Sequence, residues 1–154
     1  MLTLDFFNAS KNKRYLCLSY SEKMKLFRAY AYDLLETHYL NLGFSQQDAN
    51  EDHMKILSRI SANEVMCKLD YPDCVQNAND YYEESWIPFG PIPGEKIPAD
   101  IIDVVLNTGI RTTGDPQRWF SLEEKFKTTT TVDSIKKKYL VALARTENTF
   151  NIKR

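Results

Sequence analysis

The sequence is short of most groups that build a self-sufficient catalytic centre. Two histidines, His38 and His53, stand alone among 154 residues, and neither is followed by glutamate. A zinc hydrolase needs two histidines one helical turn apart with a carboxylate beside them, as in H-E-x-x-H. His38 and His53 fall on different expected helices and are read as ordinary core or surface side chains. No G-x-x-x-x-G-K or G-x-G-x-x-G occurs, so the common phosphate cradles are excluded. No G-x-S-x-G turn presents a nucleophile, and Cys17, Cys67 and Cys74 have no evident base or oxyanion hole. No site residue for catalysis, metal or cofactor is assigned. Long apolar runs are missing as well: nowhere do about 18 such residues follow one another, so no helical membrane insertion is expected. Met1 to Phe7 holds neither the basic nor the apolar stretch of a secretory leader, which leaves localisation unassigned. A surplus of either charge is also lacking, with 20 basic and 21 acidic residues and a net charge of -1. Nothing in that balance attracts nucleic acid or an anionic membrane. Lys136 to Lys138 is the densest basic run and is read as a solvated helix face.

What the chain does have is helix. Five glycines, little alternation of apolar and polar residues, and apolar residues every three or four positions point to an all-α fold. At 43% apolar and 27% charged residues, 154 residues suffice for one compact domain. After a segment over 1–18, three helices fill 19–87. The first opens on Ser19-Tyr20-Ser21-Glu22, a capping box, turns Met24, Phe27, Ala31, Leu34, Leu35 and His38 to one side, and ends at Gly43. A second begins near Ser45, with Asp48 three residues on, and buries Met54, Leu57, Ile60, Val65 and Cys67. Pro72 opens the third, with Val75, Ala78, Tyr81, Tyr82 and Trp86 inward. Four of six prolines and two of five glycines crowd into Ile87 to Pro98, so 88–98 reads as a loop.

Three more helices fill 99–146. The fourth starts at Pro98, with Ile101, Val104, Val105 and Ile110 on its apolar side and Asp100 and Asp103 matching its dipole. Asp115-Pro116 starts the fifth, burying Trp119, Leu122 and Phe126. Thr130 or Thr131 caps a sixth with Ile135, Tyr139, Leu140 and Leu143. The end, 147–154, reads as the start of a further helix, giving six to seven in all. Helix pairs about 40 residues apart match an α-solenoid of HEAT or armadillo type, whose hairpins stack because none can bury its own stripe. Such a stack is expected to be incomplete here, with exposed apolar surface. The spacing of Cys67 and Cys74 across a corner leaves a disulfide and two buried thiols equally open, with Cys17 as a free thiol. Asn8-Ala9-Ser10 is a possible glycosylation sequon at Asn8.

Several stretches carry a resemblance. Lys96-Ile97-Pro98-Ala99-Asp100, Val104-Val105-Leu106-Asn107-Thr108-Gly109-Ile110 and the later Trp119 resemble the helical C-terminal domain of the aminopeptidase N-like zinc metallopeptidases, the gluzincins. Phe27-Arg28-Ala29-Tyr30 and Tyr39-Leu40-Asn41-Leu42-Gly43 look like that domain's Leu-Arg-x-Tyr helix and its Lys-Leu-Gly corner. Met66 to Val75 is similar to the segment holding its first cysteine pair, which implies a Cys67–Cys74 disulfide. Where the family has a second pair, this chain has Asn107 and Arg145. The family's H-E-x-x-H, downstream glutamate and G-A-M-E-N loop are not present. The resemblance therefore implies a non-catalytic fragment or truncated paralogue of a zinc aminopeptidase of the cell surface or extracellular space. Its job would be to cap the peptide cavity of the parent enzyme. It further implies peptide and the catalytic domain as partners, self-association as in dimeric relatives, and zinc only in the parent. The rival expectation is a stand-alone helical-repeat scaffold that binds protein.

Overall fold

A computed structural model describes residues 19–46, 50–85, 97–112, 115–128 and 133–147. Among these the chain forms six α-helices and no strand: α1 Tyr20–Leu42, α2 His53–Lys68, α3 Pro72–Ser85, α4 Ile102–Thr112, α5 Pro116–Thr128 and α6 Asp133–Leu143. The all-α expectation holds. Asn8, Cys17, Trp86, Thr130, Thr131, most of the 88–98 loop and nearly all of 147–154 lie outside the described residues. The chain divides into two compact units, Met1–Ala31 and Tyr32–Arg154.

In the first unit, the expected capping box closes the start of α1. The Ser19 backbone N–H donates to Glu22 Oε2 at 2.8 Å, and the Glu22 N–H returns a bond to Ser19 Oγ at 3.3 Å. The bond from the Ser19 N–H, and then one that the Ser19 hydroxyl donates to the same Oε2 at 2.8 Å, hold the Glu22 carboxyl below its ordinary pKa.

In the second unit α4 is the centre. It packs against α2, α3 and α6, while α2 also meets α3 and α5 meets α6. Seven of its eleven residues are buried, from Ile102 and Val104 to Gly109 and Ile110. Packed on several sides, it is apolar over most of its circumference, and Asp103, Asn107 and Arg111, spaced four apart, form a polar stripe. Each of its larger side chains contributes about 1.5–3 kcal/mol by leaving water. The expected inward set Ile101, Val104, Val105 and Ile110 is buried, and Leu106 joins it. Gly109 lies under the Tyr82 ring of α3: a Cβ there would meet Tyr82 Cδ2 at 2.4 Å.

Tyrosines tie the end of α1 to the α2–α3 corner. Tyr32 Oη donates to the Leu69 carbonyl at 2.6 Å, and Tyr39 Oη to Asp73 Oδ2 at 2.8 Å. Both rings meet Tyr71 edge-on, at 5.2 and 5.5 Å between centroids. Gly43, at φ 71°, then ends α1 as expected.

The corner itself is a Schellman turn: the Asp70 N–H bonds the Cys67 carbonyl and the Tyr71 N–H bonds that of Met66. Asp70 occupies the left-handed position, φ 61°, where glycine is usual. Arg111 of α4 secures it, with Nη1 on Asp70 Oδ1 at 2.5 Å and Nη2 on the Cys67 carbonyl at 2.8 Å. Cys67 and Cys74 are joined by a disulfide across this corner, Cα to Cα 5.2 Å, as the family resemblance implied.

The reading of α1 and α2 needs correction. Helix α2 starts at His53, eight residues beyond Ser45, which sits in a bend. Its inward positions are Arg59, Asn63, Met66 and Cys67. Met54, Leu57 and Val65, expected in the core, are exposed, Met54 by 65%. On α1 the inward residues are Tyr32, Leu35 and Tyr39, while Phe27, Leu34 and His38 are exposed. The cause is common to both: buried polar side chains and tyrosines occupy the inner face, which a count of aliphatic residues cannot register. Leu140 of α6 is likewise exposed, its place inside taken by Tyr139, Ala142 and Leu143.

Gly109→Ala is expected to destabilise the fold. Overpacking against Tyr82 costs about 1–3 kcal/mol, more than the roughly 1 kcal/mol of helix propensity gained; a rise in the denaturant midpoint would contradict this. Reducing Cys67–Cys74, or replacing both cysteines by serine, should lower unfolding free energy by about 2.5 kcal/mol on the chain-entropy account, read by urea titration with and without reductant.

Candidate functional site

Helices α2, α4 and α6 share one side, and a groove runs along it. Its larger part, about 470 Å³, is walled by Ile60 and Glu64 of α2, by Val104 and Asn107 of α4, and by Ser134, Lys137, Lys138 and Val141 of α6. Asp100, just before α4, and Arg145, just after α6, also line it. A smaller hollow of about 50 Å³ adjoins it and shares Glu64, Val104, Asn107 and Arg145, with Cys67 and Arg111 at its far side. Asn107 and Arg145 hold the positions where the resemblance placed a second cysteine pair. They face one groove, as a staple between α4 and α6 would require.

Charges organise the groove. Asp103 in the first turn of α4 accepts from Lys138 Nζ of α6 at 2.7 Å, joining its two walls. Glu64 accepts from Lys68 at 2.7 Å along α2. Asp100 faces Arg59 Nη1 at 3.5 Å. The dipole reading of Asp100 and Asp103 is therefore incomplete, since both carboxylates also meet a cation on another helix.

Arg59 is fully buried. Its Nε donates to the Leu42 carbonyl at 3.1 Å, and its Nη2 is paired with Glu51. Next to it, Asn63 Nδ2 donates to the Phe44 carbonyl at 2.7 Å. These two side chains fasten the segment after α1 to α2. The Lys55 hydrogen bond, and then that from Arg59, hold the Glu51 carboxyl below its ordinary 4.5.

A general base works best with a pKa near the operating pH. Burial pushes the Tyr39 and Tyr82 hydroxyls up, away from that range. Hydrogen bonding to Glu36 sets Tyr71 at about 12. Zinc fits no donor set: among the described residues no three His, Cys, Asp or Glu side chains converge. His38 is exposed on α1 and His53 opens α2, on separate elements. The groove itself was not legible beforehand. Arg59 carried no motif, Lys137 and Lys138 were read only as part of a solvated basic run although they line the groove, and the departure at Asn107 and Arg145 marked part of its wall.

The sequence of this chain, all-helical among its described residues, matches a known family. The model of the ERAP1-like C-terminal domain covers residues 8–154, and the chain belongs to that family. Among curated proteins it is 29% identical to a glutamyl aminopeptidase of Bitis rhinoceros over 101 residues, 66% of this chain and 10% of that protein. It is 30% identical to an aminopeptidase A of Gloydius brevicauda over 99 residues, 64% of this chain and 10% of that protein. The chain thus spans about a tenth of the length of these relatives.

Because the folded state lowers the Glu51 pKa, its contribution is present above 4.5 and is lost as pH falls through the folded value. Glu51→Gln should lower stability at neutral pH and flatten the decline below 4.5. Parallel acid-unfolding curves for the two proteins would rule this out.

Proposed function

We propose that the chain is a non-catalytic part of an aminopeptidase N-like zinc metalloaminopeptidase, whose α2/α4/α6 groove faces the peptide cavity of the complete enzyme. Family membership supports the assignment to an aminopeptidase. The observation that carries the role is the groove: large enough for several peptide residues and lined by charged and amide side chains. On this reading the domain limits and orients peptide access, and hydrolysis belongs to a separate zinc-bearing domain.

Two measurements test it together. The purified chain should release no aminoacyl chromophore in the presence of zinc, and chelator-sensitive turnover would overturn the assignment. Short peptides added to isotope-labelled chain should shift amide signals of Asn107, Ser134, Lys137 and Arg145; shifts confined to other surfaces would remove the groove from the proposal.

A further inference from the structure

The three tyrosines at the α2–α3 corner differ in where a phenol proton can go. Tyr32 Oη donates to the Leu69 carbonyl at 2.6 Å, an amide oxygen that accepts hydrogen bonds but is too weak a base to keep the proton. Tyr39 Oη donates to Asp73 Oδ2 at 2.8 Å, but that oxygen also accepts from Asn77 Nδ2 at 3.0 Å, and the Tyr39 ring is 1% exposed. Tyr71 is half-buried, and its Oη donates to Glu36 Oε1 at 2.6 Å. Glu36 is exposed, so its carboxyl can hand a proton on to water. Of the three phenols, only Tyr71 combines a carboxylate acceptor with a route to solvent.

That combination matters for oxidation. Removing an electron from a phenol makes its hydroxyl strongly acidic, so the electron leaves most readily where a base already holds the hydrogen bond. The same bond is the main reason that the Tyr71 hydroxyl is pushed up to about 12, and at neutral pH it keeps its proton until an oxidant arrives. The Tyr71 ring lies 5.2 Å from that of Tyr32 and 5.5 Å from that of Tyr39, near enough for an electron to cross. A vacancy formed on any of the three settles on the ring that can shed its proton.

We propose that Tyr71 is an oxidative modification site, converted to nitrotyrosine by nitrogen dioxide radicals of the kind peroxynitrite releases, with Glu36 as the proton acceptor. The first radical takes an electron from Tyr71 and leaves as nitrite, while the hydroxyl proton moves to Glu36. A second radical bonds to the ring carbon beside the phenoxyl oxygen. The hydrogen on that carbon passes to the oxygen, restoring the aromatic phenol, and Glu36 gives its proton to water. A nitro group withdraws electrons and lowers the phenol's pKa, so the product tends to carry a negative charge against the Glu36 carboxylate. The tie between α1 and the corner then weakens: Glu36 raises the modified phenol's pKa in the folded chain, and the stabilisation present below the unfolded value is lost as pH rises through the folded one. None of these residues lines the groove, so the proposal stands apart from the peptide-cavity reading.

The test doses the full chain with peroxynitrite and bicarbonate at low conversion and locates nitration by mass spectrometry of its peptides. Tyr20 and Tyr30 are 80% and 66% exposed, so encounter alone would modify them first. Tyr71 should instead carry more nitration than either. Glu36→Gln keeps an oxygen for the hydroxyl but removes the base. It should lower the Tyr71 yield by at least about tenfold, a fraction of what a positioned proton acceptor contributes in catalysis, and leave Tyr20 and Tyr30 unchanged. A purely structural hydrogen bond would not be moved by that exchange. Nitration that follows exposure, with Tyr20 and Tyr30 ahead, overturns the proposal, as does a Tyr71 yield that Glu36→Gln leaves unaltered. The ranking is read on the unmodified sequence, so it decides the matter even if melting curves show that Glu36→Gln loosens the fold.

Discussion

A guanidinium with no access to water is the constraint around which this domain is arranged. Arg59 sits wholly inside, so each of its donors must find oxygen or the cost of burial goes uncompensated. It finds three sources: the end of α1 at Leu42, the approach to α2 at Glu51, and the approach to α4 at Asp100. Three separate stretches of chain are thereby held to one side chain. Their mutual position sets where α4 enters, and with it the line of the groove.

The same residue explains how far the sequence could be read. Helix α4 was legible because surroundings on several sides demand apolar residues, and Ile101, Val104, Val105 and Ile110 declared them. The Ser19 capping box, the Gly43 stop and the prolines opening α3 and α5 were legible because each is local chemistry with a fixed spacing. Helix α2 misled because its inward face is built on Arg59 and Asn63, residues that a hydrophobic pattern assigns to water. With those two inside, Met54, Leu57 and Val65 are turned out. Tyr39 did the same to the reading of α1, bringing a hydroxyl for Asp73 along with a large buried ring.

The corner between α2 and α3 joins covalent and polar restraint in one place. A disulfide closes it, a Schellman turn satisfies its carbonyls, and Arg111 reaches across from α4 to hold Asp70 in a backbone conformation that glycine would adopt freely. The disulfide was anticipated through family likeness, since spacing alone left it undecided. The Arg111 clasp was not, because forty-one positions separate Asp70 from Arg111 and no local pattern links them. Long-range pairing of charges also shaped the groove, where Asp103 and Lys138 join α4 to α6.

The contact of Gly109 with the Tyr82 ring couples the two positions in sequence drift. With only a hydrogen at 109, the helix backbone rests against the aromatic face, and no larger residue fits while the ring stays. Shrinking position 82 alone would leave a void where a fully buried ring now sits, and enlarging position 109 alone would wedge α3 from α4, so each change weakens the domain unless the other accompanies it.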